Sequence, residues 1–222
     1  MHGLANLSPR QQLLAGRLSR RLPQLAVGLF LYGFSLSILV KAKLGLGPWS
    51  VLEQGLLHYL PMTFGQVAIV VGAIVLLLWI PLRQWPGLGT VANVFVVGLA
   101  LDFGLWSLPE PEPLWARIAF MVFGVVGNGF ATAVYIGSQL GPGPRDGLMT
   151  GLAARTGGSL RLIRTGIEVT VLAIGFLLGG TVGIGTVLYA VGIGPLAQLF
   201  LKWVVVPLPG AEPVPSPEPV VS

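Results

Sequence analysis

Charged side chains within an otherwise apolar stretch are the first residues of this sequence that could do chemistry. Glu168 lies about two turns into a stretch long enough to cross a bilayer, and Arg164 precedes it at i,i+4 spacing. Ionisable groups at such depth are energetically expensive, so each is a candidate for function. Two interpretations are open: a structural Arg164–Glu168 ion pair, or a protonatable carboxylate that couples transport to a proton gradient.

Two glycine–proline loops are the second such feature. Each has the pattern Gly-x-Gly-Pro and leads into a segment of about 11 residues, which as a helix is too short to cross a bilayer. Glycine permits the tight turn, and proline ends the preceding structure. The loops and the residues after them form the predicted substrate-binding set: Gly45, Gly47, Pro48, Trp49, Ser50 and Glu53, then Gly141, Gly143, Pro144, Arg145 and Asp146.

The start of each short helix suggests what these residues could do. Ser50 and Glu53 match the S-x-x-E capping box, and Asp146 occupies the equivalent cap position in the second loop. Helix starts present free N–H groups and partial positive charge, to which Arg145 adds a fixed charge. One hypothesis is a substrate site between the two helix starts, for an anion, a cation or a proton. The alternative is that the three side chains only cap helices and that Arg145 anchors a loop at the surface.

The remaining residue types argue against several function classes. The chain has no cysteine and only two histidines, so we predict neither a metal site nor a cofactor. We find no paired histidines and no serine–histidine or cysteine nucleophile arrangement, and we therefore expect no enzymatic activity and no catalytic residue. The net charge of +5 forms no basic stripe among aromatic residues, so nucleic acid is not an expected partner.

The elements that must position these residues are transmembrane helices. The 222-residue chain is 54% hydrophobic and 9% charged, whereas soluble domains have roughly 25% charged residues. A bilayer is crossed by about 20 mostly apolar residues. Six segments qualify, at roughly 24–41, 64–82, 88–108, 117–137, 162–180 and 184–205. We therefore predict an all-α membrane protein of about six transmembrane helices, with the lipid bilayer as its partner.

An internal repeat organises these segments. Gly45 and Gly141 lie 96 positions apart, and so do Gly87 and Gly183, and each glycine begins a matching motif. Each half then contains three crossings and one short re-entrant or interfacial helix. Because three is odd, the second half enters from the opposite side, which predicts inverted repeats of the kind found in secondary transporters. If segments 50–60 and 146–156 also crossed, the repeats would be parallel.

The division of the chain follows from this repeat. We predict a basic amphipathic cytoplasmic segment at 1–23, a first membrane repeat at 24–108, an outer loop at 109–116, a second repeat at 117–206 and a disordered proline-rich tail at 207–222. Positive charge predicts the orientation in the cell (inner) membrane, with both termini cytoplasmic. The predicted inner side has Arg10, Arg17, Arg20, Arg21, Arg83, Arg145, Arg155, Arg161 and Arg164, and the outer side Lys41, Lys43 and Arg117.

The glycine-rich motifs resemble those of a known family. The run GPGPRDGLMT from Gly141 to Thr150, together with the stretch from Arg164 through Glu168, is similar to sequences of the YczE/YyaS/YitT group of bacterial membrane proteins. The likeness extends from about residue 25 to 205. It implies an inner-membrane protein of five or six spans. At Trp49-Ser50 the chain departs from the family pattern, in which an acidic residue follows the tryptophan.

Two functions remain open at this point. The first is a small secondary transporter for a small molecule or ion, with alternating access at the interface of the two repeats. The alternative is a non-transporting membrane accessory or assembly protein, with its carboxylates in closed ion pairs and capping contacts around a filled centre. A polar cavity at the middle of the helix bundle would favour transport.

Overall fold

The computed structural model describes Leu4 and residues 7–208. In this part of the chain all regular structure is helical. The helices are α1 (Pro9–Leu14), α2 (Leu18–Ala42), α3 (Pro48–Leu57), α4 (Phe64–Leu77), α5 (Trp79–Leu82), α6 (Leu88–Ser107), α7 (Leu114–Gly137), α8 (Pro144–Thr156), α9 (Leu160–Leu177) and α10 (Ile184–Val204). The predicted tail at 207–222 lies almost entirely outside the described residues.

Among the described residues, five helical segments are long and apolar enough to cross a bilayer. They are α2, α4 continued by α5 (Phe64–Leu82), α6, α7 and α10. An all-α membrane protein is therefore confirmed. The sixth predicted span, 162–180, corresponds to α9, whose 18 residues include the charged side chains of Arg161, Arg164 and Glu168. With these three charged residues, α9 is not among the helices that qualify as membrane spans by composition.

Helix α2 begins before the predicted start of the first span. The chain breaks after α1, where Arg17 has a left-handed backbone with φ 53°, and α2 starts at Leu18. The boundary predicted between residues 23 and 24 therefore lies inside a continuous helix. Arg21, predicted to lie in a basic segment along the membrane surface, is instead fully buried.

Helices α2 and α7 form the centre of the bundle and run antiparallel. Near the start of α7, Arg117 donates to the carbonyls of Ala42 and Lys43 at the end of α2, at 2.9 and 2.7 Å. At the opposite end, Arg21 in the first turn of α2 donates to the Ser138 carbonyl just after α7, at 2.7 Å. We name these two ends of the bundle the Lys43 end and the Arg21 end. Helix α6 packs on α2, and α10 packs on α7.

A cluster of charged side chains lies at the Lys43 end. Glu110, in the loop between α6 and α7, lies 2.6 Å from the Lys43 ammonium and 3.6 Å from that of Lys41. The hydrogen bond from Lys43 and the charges of both lysines lower the pKa of Glu110 below its ordinary value. Glu110 thus connects the loop before α7 to the two lysines at the end of α2.

Helices α4 and α9, which start 96 positions apart, pack differently. Glycines bring α4 and α6 together so closely that a Cβ atom on Gly98 would lie 2.6 Å from the Gly65 carbonyl oxygen. Helix α9 packs mainly on α3 and has no comparable contact with α10 in the described structure. A Cβ atom on Gly194, 96 positions after Gly98, would meet no atom within 4 Å. Helices α4 and α6 are therefore in close contact, whereas α9 and α10 lack such a contact in the described structure.

These two glycines give a matched pair of substitutions. We expect Gly98→Ala to lower the free energy of unfolding by about 1–3 kcal/mol, because the new methyl group overpacks against backbone. We expect Gly194→Ala to be neutral or to raise it by up to ~1 kcal/mol, because alanine favours the helix and has free space. Unfolding in detergent micelles measures both, and equal effects would contradict this difference in packing.

Candidate functional site

Each short helix begins at the proline of its loop. Gly47 and Gly143 are the N-caps of α3 and α8, and Pro48 and Pro144 occupy the first helical position. Proline suits this position because the helix requires no N–H donor there and its φ angle is already helical. Both helix starts are thus determined by the same local pattern.

The predicted side-chain caps of these helices were wrong. Ser50 and Asp146 lie at the third helical position, not at the N-cap, and no side chain caps either helix start. The prolines begin each helix three residues earlier than the predicted caps at Ser50 and Asp146 indicated. Glu53 therefore lies in the second turn of α3 and is available for a contact outside its own helix.

Each loop docks on the start of a helix in the opposite half. The Gly89 N–H at the start of α6 donates to the Leu140 carbonyl at 2.7 Å, and the Gly185 N–H at the start of α10 donates to the Leu44 carbonyl at 2.8 Å. Gly45 and Gly141 then turn the chain with φ angles of 111° and 126°, which only glycine adopts readily. These two glycines shape the loops and do not line the cavity described next.

The first turns of α3 and α8 meet at one cavity of about 120 Å³. This exceeds the ~10–15 Å³ that a single water requires. Predicted site residues that line it are Gly47, Pro48, Trp49, Ser50, Gly143, Pro144, Arg145, Asp146, Arg164 and Glu168. Four charged side chains therefore line one cavity: Arg145, Asp146, Arg164 and Glu168.

A buried ion pair joins the two short helices beside this cavity. Arg145 of α8 donates to Oε1 of Glu53 of α3, and Glu53 is fully buried. The Arg145 guanidinium also lies over the Trp49 ring, 4.9 Å from its centroid, in a cation–π arrangement. Arg145 is thus three-quarters buried and paired across helices rather than placed at a surface as a loop anchor.

The Arg164–Glu168 ion pair is present in the structure. Arg164 Nε donates to Glu168 Oε1 at 3.0 Å, across one turn of α9. The Arg164 side chain is 48% exposed, and both residues line the cavity. The predicted i,i+4 contact is therefore present, and it lies along α9 at the edge of the cavity.

Asp146 differs from the other carboxylates at the cavity. Its Oδ2 accepts a hydrogen bond of 3.2 Å from the Tyr135 hydroxyl of α7. Unlike Glu53 and Glu168, it forms no ion pair in the part of the chain that the structure describes. Asp146 is therefore the carboxylate at this site without a cationic partner.

Sequence reasoning missed the tyrosines of the cavity. Tyr32, Tyr135 and Tyr189 all line it, and the first two rings meet edge to face with centroids 5.7 Å apart. The Tyr189 hydroxyl donates to Asn128 Oδ1 at 3.0 Å. Tyrosine favours the edges of a membrane, so a tyrosine in the middle of a span, such as Tyr32 in α2, is the signal that could have indicated a polar interior.

Known sequences match this chain over most of its length. A family model described as "Family of unknown function (DUF6198)" matches residues 19–202. An uncharacterized protein of Haemophilus influenzae is 39% identical over 178 residues, covering 80% of this chain and 82% of that protein. The uncharacterized membrane protein YczE of Bacillus subtilis is 32% identical over 176 residues, covering 78% and 82%.

A third relative is more distant. The uncharacterized protein YyaS of Bacillus subtilis is 24% identical over 179 residues, covering 79% of this chain and 89% of that protein. No solved structure matches the chain. The residues that the family model matches include both short helices and those that line the cavity.

Proposed function

The chain belongs to the DUF6198 family of unknown function, with YczE and YyaS among its relatives, and from this premise we propose that it is a small secondary transporter. Its substrate, a small molecule or an ion, binds in the cavity between α3 and α8. The observation that carries this proposal is the convergence of two short-helix starts on one polar cavity inside a membrane protein. Secondary transporters bind substrates at such breaks in helical structure.

The positions of the helices support an inverted repeat. Four helices of the first half each have a counterpart that starts 96 positions later: Leu18 and Leu114, Pro48 and Pro144, Phe64 and Leu160, Leu88 and Ile184. The central pair, α2 and α7, runs antiparallel. Two similar halves that face opposite ways are the architecture in which alternating access is well known.

The cavity lining supports the same interpretation. Eight pairs of lining residues are 96 positions apart: Gly47 and Gly143, Pro48 and Pro144, Trp49 and Arg145, Ser50 and Asp146, Ala68 and Arg164, Gly72 and Glu168, Asn93 and Tyr189, Val97 and Ile193. The cavity thus lies where the two halves meet, at the position of the pseudo-twofold axis that relates inverted repeats.

The difference between α4 and α9 suggests how access alternates. Helix α4 packs closely on α6, while α9 stands away from α10. When two inverted halves exchange these arrangements, the open side of the cavity closes and the closed side opens. We infer that the structure represents the state that is open along α9.

We place the Arg21 end in the cytoplasm of a cell-membrane protein. Arginine in short loops remains on the cytoplasmic side of bacterial membranes. Loops and helix ends at this end of the bundle include Arg10, Arg17, Arg20, Arg83 and Arg155. At the other end, two lysines pair with Glu110. Both termini are then cytoplasmic.

The alternative function is a non-transporting accessory or assembly protein. It is favoured by the Glu53–Arg145 pair, which joins α3 and α8 and could hold the centre in one arrangement. In that case the cavity would be a fixed feature of a static bundle. The two functions therefore differ in whether the cavity is reached from both sides of the membrane.

Cysteine accessibility tests the proposed transport. The chain has no cysteine, so Ser50→Cys places one thiol at the cavity with little change in volume. We expect a small, charged, membrane-impermeant thiosulfonate to modify it in both right-side-out and inverted membrane vesicles, because each state exposes the cavity to one side. Modification from one side alone, or from neither, would contradict alternating access.

Two further variants control this experiment. Ser37→Cys carries the same change at a buried serine that does not line the cavity, and we expect it to remain unmodified from both sides. Lys43→Cys lies at an exposed position and reports which vesicle surface corresponds to the Lys43 end.

A further inference from the structure

Charges at the cavity do not balance. Glu53 pairs with Arg145, and Glu168 pairs with Arg164, so these two pairs are neutral. Asp146 adds a carboxylate that no cation pairs with in the described structure. A net charge enclosed within a membrane protein is energetically costly. The cavity therefore requires one positive charge before it can close.

Groups on every neighbouring element define the surroundings of Asp146. Tyr135 of α7 donates to Oδ2. The other ionisable side chains around the cavity are Arg145 on the same helix, Arg164 and Glu168 on α9, Tyr189 on α10, Tyr32 on α2 and, behind Arg145, Glu53 on α3. The hydrogen-bond donor at Asp146 is thus a neutral hydroxyl, while both arginines are engaged by other carboxylates.

Opposing effects act on the Asp146 carboxylate. Its position in the first turn of α8 stabilises the ionised form, because the helix start has partial positive charge. Its place at a small cavity among apolar helices favours the neutral form. A carboxylate under opposing effects can change its protonation state when the surroundings change, which is what coupling requires.

We propose that Asp146 takes up and releases the coupling proton of this protein, and that Glu168 does not. The proposal rests on the proposed transport function. A proton from cavity water adds to Oδ1 and converts the carboxylate to a carboxylic acid, while Oδ2 continues to accept from Tyr135. The acid neutralises the cavity, so that α9 can close on α10 without enclosing a net charge. The equivalent position in the first half is Ser50, so the first half has no carboxylate at the matching position.

Infrared difference spectroscopy tests this assignment directly. The full-length protein is reconstituted in lipid and compared at acidic and alkaline pH in potassium chloride. Exposed carboxylates also protonate at acidic pH, so the band that identifies the site is the carbonyl stretch of a weakly hydrated carboxylic acid, at a higher frequency than theirs. We expect this band at acidic pH in the wild type and its loss in Asp146→Asn. Asp146→Glu, which keeps a carboxyl group, is expected to retain a band at a shifted frequency and so controls for misfolding.

Three further variants sharpen the test. Glu110→Gln removes an exposed carboxylate far from the cavity and is expected to leave the band unchanged. Glu168→Gln is also expected to retain it. Tyr135→Phe removes the hydroxyl that stabilises the ionised Asp146, so we expect the midpoint of the titration to move to higher pH.

Several results would overturn the proton assignment. They are a band that persists unchanged in Asp146→Asn, a band lost in Glu168→Gln, or a band abolished at constant pH when sodium replaces potassium, which would indicate a sodium site. This titration requires no flux. If the band behaves as expected but Ser50→Cys reacts from one side only, the transport proposal is rejected and the proton site is retained. If Ser50→Cys reacts from both sides but the band does not behave as expected, only the proton site is rejected.

Discussion

Replacing Glu53 with alanine is expected to lower the free energy of unfolding by about 3–5 kcal/mol, because it leaves Arg145 charged and without its partner between α3 and α8. Removing both charges together should cost much less. The double variant Glu53→Leu/Arg145→Met replaces the pair with apolar side chains of similar volume, and we expect its stability to lie within about 1–2 kcal/mol of the wild type. Denaturant unfolding in micelles measures these values.

A second ion pair in the same protein provides the control for this prediction. Arg164 and Glu168 lie one turn apart on α9 and are partly exposed, so Glu168→Ala is expected to cost no more than about 1 kcal/mol. The comparison separates the effect of burial from the effect of losing a carboxylate. A Glu53→Ala variant as stable as Glu168→Ala would show that the Glu53 pair contributes nothing beyond a surface contact.

Arg21→Ala is expected to destabilise the protein by a similar amount, about 3–5 kcal/mol. The fully buried Arg21 donates to the carbonyls of Ser138 and Gln139, both at 2.7 Å, and to those of Gln12 and Gly16, at 2.6 and 3.2 Å. Without the guanidinium the buried Ser138 and Gln139 carbonyls lose this donor, and each loss costs about 1–3 kcal/mol unless water replaces it. Thermal unfolding of the purified protein reports the loss.

The neighbouring Arg20 provides a control for the Arg21→Ala variant. Arg20 is exposed on the same turn of α2, so Arg20→Ala is expected to change stability by less than about 0.5 kcal/mol. Arg21→Lys should fall between the two, because an ammonium group cannot reproduce the planar fork of donors. Equal stability of the Arg20 and Arg21 variants would disprove a bonding role for Arg21.

Arg21 also fixes the base of a loop that leads into the candidate site. Its carbonyl acceptors include Ser138 and Gln139, which directly precede the Leu140–Gly143 loop that leads into α8. In the first half, Arg117 donates to the end of α2, just before the Leu44–Gly47 loop that leads into α3. Each loop that enters a short helix is therefore fixed at its base by an arginine from another helix.

Several features of the fold follow from local sequence alone. The apolar spans were predictable because a bilayer requires long runs of apolar residues. The Arg164–Glu168 pair was predictable because i,i+4 side chains on a helix are neighbours wherever the helix lies. The start of α3 was misplaced because two local signals compete there, the S-x-x-E pattern at Ser50 and the proline at position 48. Proline prevailed, since its ring sets the φ angle whereas a capping hydroxyl contributes only one hydrogen bond.

What the sequence by itself determined is residence in the membrane, the helical segments and the breaks at the two glycine–proline loops. Each depends on residues within a few turns of one another. Tertiary structure alone decided that Glu53 meets Arg145, that Tyr135 donates to Asp146 and that Arg21 is buried. The first and last of these contacts join residues about a hundred positions apart, and all three depend on how separate helices pack. Helix packing brings such groups together through shape and close approach, which no short sequence pattern encodes.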